Sequence, residues 1–175
     1  RGNFFAMPGK IPQQAPAVAH VNERALHRPE TFKKAGAHMR RLAEEIGAML
    51  REFKQKGMTI AGYGAARSGT TFISQMGLGS VLSFIVDDDP QKQGKYTPGD
   101  HIPVLPRSAM YERRPDYVLI LGWIHTKSII DDNRPYLQQG GRFVVCSPVV
   151  QVIDEATLPR IHTVPTTLPN TKGGP

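Results

Sequence analysis

A chain of 175 residues, 39% hydrophobic and 21% charged, suits one globular domain with an appendage, and no run has the length or apolarity of a bilayer span or a cleavable leader. The formal charge of +7 raises nucleic acid as a partner, but residues 1–57 hold 11 Lys/Arg against 5 Asp/Glu while residues 58–175 hold 11 against 10. The surplus therefore lies in the N-terminal third, without interleaved aromatics, and reads as a solvated helix face rather than a nucleic-acid interface. The lone Cys146 excludes an internal disulfide and a Cys-rich zinc site, and its place in the apolar run RFVVCSP predicts a buried strand thiol in a reducing cytoplasm. The chain starts at Arg1 rather than Met, and the expectation is a piece of a longer polypeptide.

Residues 1–29 contain four prolines and little periodicity, which predicts an extended arm or linker. Over 30–57 a packing helix is expected from about Thr31 to Lys56, because Met39, Leu42, Ile46, Met49, Leu50 and Phe53 share one face and Gly57 can stop it. Residues 58–153 alternate strands and helices. MTIAGYG is the first strand, followed by a helix from Arg67 to Met76, and VLSFIVDDD is the second strand. A polar loop leads to a short strand at IPVL and a helical turn near Ser108–Tyr111. PDYVLILGW is the most continuous apolar strand, HTKSIIDDNRPYLQQGG a single helix, and RFVVCSP the last strong strand. Continuous apolar strands separated by helices imply a mostly parallel sheet covered on both faces, a Rossmann-like α/β fold. The Pro- and Thr-rich stretch 154–175 reads as a loose tail.

The turn after the first strand, GYGAARSGTT, is the natural anion site of such a sheet. Glycines let backbone N–H groups approach a phosphate, and the helix that follows adds partial positive charge. Gly62 and Gly64 occupy the first two positions of G-x-G-x-x-G. The third falls on Arg67, which argues against a dinucleotide fingerprint, while Gly69 arrives two residues late. We expect a phosphate or diphosphate cradle from the 65–70 backbone, Ala66 and Gly69 included, with Arg67, Ser68 and Thr70 as side-chain donors. The alternative is a purely structural turn. Asp87, 25 positions after Gly62, ends the second strand where a ribose-binding acid sits, with Asp88 and Asp89 solvated. The loop IVDDDPQKQGKYTPGDHIPV brings Lys92, Lys95, Tyr96 and His101, a set suited to a base, ribose or phosphate, or else a rigid cap on the sheet. Trp123 and His125 follow the most apolar strand, where they either line a pocket or pack. No metal-ligand set and no catalytic triad is legible. His20, His27, His38 and His162 lack ligand spacing.

Taken together, GYGAARSGTT, VDDDPQKQGKYTPGDHIPV, PDYVLILGW and GGRFVV resemble the C-terminal domain of nucleotide-sugar C-methyltransferases, from roughly Met39 to Ile153. The resemblance implies S-adenosylmethionine as cofactor of a longer parent enzyme, not bound by this part. It also implies a nucleotide-diphosphate sugar as ligand, and a partner methyltransferase domain upstream that holds the catalytic Tyr, Glu and His. It assigns this chain a substrate-binding role, no catalytic residue and no metal. Where the family pattern often has Lys or Arg, this chain has Ser68, so that cation is missing or displaced to Arg67. A freestanding, non-catalytic ligand-binding domain is the alternative. An NAD-dependent oxidoreductase is disfavoured by Arg67.

Overall fold

The computed structural model describes residues 28–146 and 150–158, so the arm lies almost wholly, and most of the tail wholly, outside the described residues. Helix α1 (Pro29–Gln55) starts with proline in its first turn, where the missing N–H costs nothing, and carries Glu30 at its positive end and Lys54 at its negative end. Only its C-terminal half is seated. Ile46, Leu50 and Phe53 are buried, and the Phe53 ring stacks on Tyr117 with centroids 4.2 Å apart. At about 1.5–3 kcal/mol per fully buried large apolar side chain, this half alone anchors the helix.

The sheet comprises β1 (Ile60–Tyr63), β2 (Phe84–Val86), β3 (Val104–Leu105), β4 (Tyr117–Ile120), β5 (Phe143–Val145) and β6 (Gln151–Ile153), in the order β3-β2-β1-β4-β5-β6. All neighbours pair in parallel except β5 with β6. Between the strands run α2 (Arg67–Met76), α3 (Ser108–Arg113), a 3-10 turn (Trp123–His125), α4 (Thr126–Asp132) and α5 (Arg134–Gln138). One apolar cluster joins α1 and α2 to the sheet through Ile46, Leu50, Ile73, Leu119 and Leu121. The other joins α3, α4 and α5 through Met110, Ile129, Tyr136 and Phe143. Every residue of β1 and β4 is buried, because each face is covered, and this explains runs without polar alternation. The fold is Rossmann-like α/β. Asp116 fixes the entry to the central strands by accepting the Thr59 N–H and hydroxyl, both at 2.8 Å.

Two local expectations are corrected. The helix expected through HTKSIIDDNRPYLQQGG breaks at Asn133. Pro135 cannot donate to a helical ladder, and the buried Asn133 side chain donates to the Ile129 carbonyl at 2.7 Å while accepting from Tyr111 Oη at 2.9 Å. Beyond the expected last strand lies β6, short and only partly buried, which gives little periodic signal. The polar loop after β2 is ordered, as its composition suggested, and takes the form of a hairpin. Gly94 N–H donates to the Val104 carbonyl, Val104 N–H to Lys95 and Thr97 N–H to Ile102, at 2.8, 2.8 and 2.9 Å, and Tyr96 bridges Pro103.

Candidate functional site

Strand order reverses between β1 and β4, and the turns leaving both strands stand at the carboxyl edge of the sheet, the position where open α/β sheets bind ligands. Gly64, with φ +97°, adopts a conformation that disfavours side chains, and a Cβ there would come within 3.3 Å of the Gly122 nitrogen. The chain then enters α2 through Ala66, which offers no side-chain cap. Helix geometry leaves the first N–H groups of α2 without intrahelical partners, so these donors face the edge of the site.

The place of the missing third glycine is taken by Gly69. It is buried against β4's exit, where a Cβ would lie 3.1 Å from Leu121 Cβ and 3.2 Å from the Gly64 carbonyl. The close helix–turn packing that G-x-G-x-x-G assigns to position 67 is therefore supplied one half-turn later, and Arg67 is left exposed on the surface of α2. Gly62 is likewise a packing residue inside β1, where a Cβ would approach Leu121 Cδ1 to 2.9 Å. Thr70 donates its hydroxyl to the Arg67 carbonyl at 2.8 Å.

The three aspartates after β2 divide their work. Asp87 is only 6% exposed and turns inward. Its carboxylate accepts the Ala65 N–H at 2.6 Å and the Asp89 N–H at 2.9 Å, and pairs with Lys92 Nζ at 3.2 Å. It thus ties the glycine turn to the basic loop, and a ribose would compete with three internal partners. Asp88 and Asp89 are not merely solvated, as the sequence led us to expect. Asp88 accepts from Tyr63 Oη at 2.8 Å and pairs with Arg107 Nε at 3.3 Å, while Asp89 accepts the Gln91 N–H at 2.9 Å. Burial pushes the Tyr63 phenol up to about 12, with Asp88 adding to the rise and Asn133 opposing it. The Asp88 charge raises the Arg107 guanidinium above its ordinary value. This second cluster serves the α3–α5 face.

A cleft of about 160 Å³ opens between the glycine turn and the hairpin. Of the residues singled out in the sequence, Thr70, Lys92, Lys95 and Tyr96 line it. Ala65, from the expected 65–70 cradle, also lines it, as do Gln91, Thr97, Pro98 and Val104, which were not singled out. The neighbouring letters of the same two motifs were their only signal. His101, Trp123 and His125 are exposed and stand outside this cleft, as do Gly62, Gly64, Ala66, Arg67, Ser68, Gly69 and Asp87. His101 holds a left-handed φ of +51° at the hairpin tip, where its N–H donates to the Thr97 carbonyl. Among the described residues Arg67 and Lys95 have no carboxylate partner, so the turn and the cleft carry uncompensated positive charge. A cleft with two lysines, a largely exposed Tyr96 ring and free helix N–H groups beside it can hold an anion attached to a flat or polar group.

Comparison with known proteins identifies the family. A family model described as the C-methyltransferase C-terminal domain matches residues 10–148. This chain belongs to that family. The C-methyltransferase NovU of Streptomyces niveus is 33% identical over 161 residues, covering 88% of this chain and 38% of NovU. The C-methyltransferase C-terminal domain thus spans well under half the length of the curated relative it matches. Among solved structures, UDP-D-quinovosamine 4-dehydrogenase from Vibrio fischeri aligns over 59% of this chain and 84% of its own, with 15% identity and a TM-score of 0.38. No helix among the described residues is long and apolar enough to cross a membrane.

Proposed function

We propose that this chain binds a nucleotide-diphosphate sugar and holds it for methyl transfer to a sugar carbon by an upstream domain of a longer, S-adenosylmethionine-dependent parent enzyme. The observation that carries the reading is the convergence of two sequence-distant motifs on one basic cleft, with Thr70 on one wall and Lys92, Lys95 and Tyr96 on the other. A diphosphate is a compact dianion that suits the unpartnered Lys95, the Lys92 shared with Asp87, and the first helix amides of α2. A base or sugar ring suits the face of Tyr96. Binding energy taken from this non-reacting handle would be used to position the reacting carbon.

On this reading S-adenosylmethionine is not the ligand of the cleft, since it has no diphosphate and carries a net positive charge. We therefore place the methyl donor and the reacting groups in another part of the parent, and this chain alone binds without catalysing. The buried thiol of Cys146 accords with a reducing cytoplasm.

Calorimetric titration of the chain with dTDP, NAD and S-adenosylmethionine tests the reading. dTDP binds, the other two do not, and the K92A/K95A double variant weakens dTDP at least about tenfold, as expected for loss of two charge-assisted contacts. A stable complex with S-adenosylmethionine, or dTDP affinity unchanged in K92A/K95A, refutes it.

A further inference from the structure

The apolar stripe of α1 is longer than the surface it covers. Phe32, Met39, Ile46 and Phe53 recur at seven-residue spacing, flanked by Ala35, Leu42 and Met49, so a single seam runs the length of the helix. Ile46 and Phe53 are buried, and Leu42 and Met49 are packed against the core. The seam then leaves the protein, with Met39 51% and Phe32 65% exposed. These are two of five large hydrophobic residues that stand exposed among the described ones.

The direction of the overhang follows from its contacts. Phe53 stacks on Tyr117, the first residue of β4, and the helix leads through Gly57 directly into β1, so the C-terminal end of α1 is fixed at the amino edge of the sheet and the overhang is the opposite end. At 1.5 Å per residue, Met39 lies about 10 Å and Phe32 about 21 Å beyond Ile46.

We infer that the exposed seam at Phe32 and Met39 is the docking surface for the polypeptide that precedes this domain in a C-methyltransferase, a partner with an apolar patch and an acidic rim. The inference rests on the proposed function, which gives the parent enzyme a domain upstream of this chain. Three observations single out this occupant. The matching family is a C-terminal domain and this chain covers 38% of NovU, so most of the relative lies on the N-terminal side, where α1 begins. The overhang 28–41 carries Arg28, Lys33, Lys34, Arg40 and Arg41 against Glu30, which a second copy would face with the same excess. Residues 1–27, with Arg1, Lys10 and Arg24 against Glu23, are basic as well.

Hydrogen exchange over residues 30–43 tests the docking, because an unseated helix half opens readily and a seated one does not. The 175-residue chain is expected to sediment as a monomer with rapid exchange in this stretch. Joined in place of the matching segment of NovU, the same stretch slows at least about tenfold, and F32E/M39E in the joined protein restores rapid exchange. Should the joined protein not fold, exchange in the aligned helix of intact NovU decides, with protection supporting the docking and rapid exchange overturning it. A dimer of the chain that F32E/M39E dissociates, or protection in the chain alone that vanishes when residues 1–27 are deleted, overturns it by naming another occupant. dTDP binding by the chain is unchanged in F32E/M39E, so failure of the ligand reading is separable from failure of the docking.

Discussion

Asp87→Asn changes almost no volume and removes one charge, so it isolates what the carboxylate does. In the native site two backbone N–H groups, from Ala65 and Asp89, point at different oxygens of this one side chain. An amide offers a single acceptor oxygen, and its NH₂ would confront one of these donors head-on. A hydrogen bond to a charged group contributes about 1.5–3 kcal/mol, and an orphaned buried donor costs about 1–3 kcal/mol. The Lys92 ion pair adds under about 1 kcal/mol, since Lys92 is 41% exposed. The variant should therefore lose about 2–4 kcal/mol, read as a lower urea midpoint at unchanged slope and a melting temperature reduced by roughly 5–12 °C. The loss should fall on function too, because the same carboxylate aims Ala65 and Lys92 at the cleft, so dTDP should bind more weakly even where the protein is fully folded. Stability within about 0.5 kcal/mol of the native chain, together with unaltered dTDP affinity, would refute the view of Asp87 as the joint between turn and hairpin.

Two further outcomes follow from packing and burial. Gly69→Ala should cost about 1–3 kcal/mol in denaturant unfolding, because its Cβ would press on Leu121 and the Gly64 carbonyl, whereas Ser68→Ala beside it on the exposed side should stay within about 0.5 kcal/mol. Equal effects of the two would discard the third-glycine role assigned to Gly69. Burial pushes the Cys146 thiol from its ordinary 9.0 up to about 12. In the window between these values the unfolded chain ionises and the folded chain does not, so the contribution of this thiol to stability is constant below about pH 8 and is lost progressively as pH rises from 9.0 toward about 12. Cys146→Ala should flatten that decline. A thiol reagent at pH 8 should label the native chain only as fast as it unfolds, and immediate stoichiometric labelling would contradict the burial.

Much of the fold was legible in the amino-acid order because its signals are local. Helix α2 falls on the residues its periodicity predicted, and the unbroken apolar runs at β1 and β4 announced strands covered on both faces. The motifs that carry the family were legible for the same reason, since a turn of glycines and a loop of Lys, Tyr, Pro and Gly are contiguous. Where order was set by contacts across the chain, the sequence was mute. The break at Asn133 depends on Tyr111 and Tyr63, and the hairpin of the 94–104 loop depends on rungs between residues of no special propensity.

The site shows the same division at closer range. Amino-acid order alone determined that a glycine turn and a basic, Tyr-bearing loop exist, and that α1 has an apolar stripe. Only tertiary packing decided that Thr70 shares a cleft with Lys92, Lys95 and Tyr96, that Asp87 faces inward, that Gly69 does the work of a glycine at 67, and that the stripe outruns its sheet. Spacing along a chain specifies which residues can share a helix face or a turn. Which donor meets which acceptor is fixed by how the elements pack, because a buried polar group must find its partner wherever the fold brings one within reach.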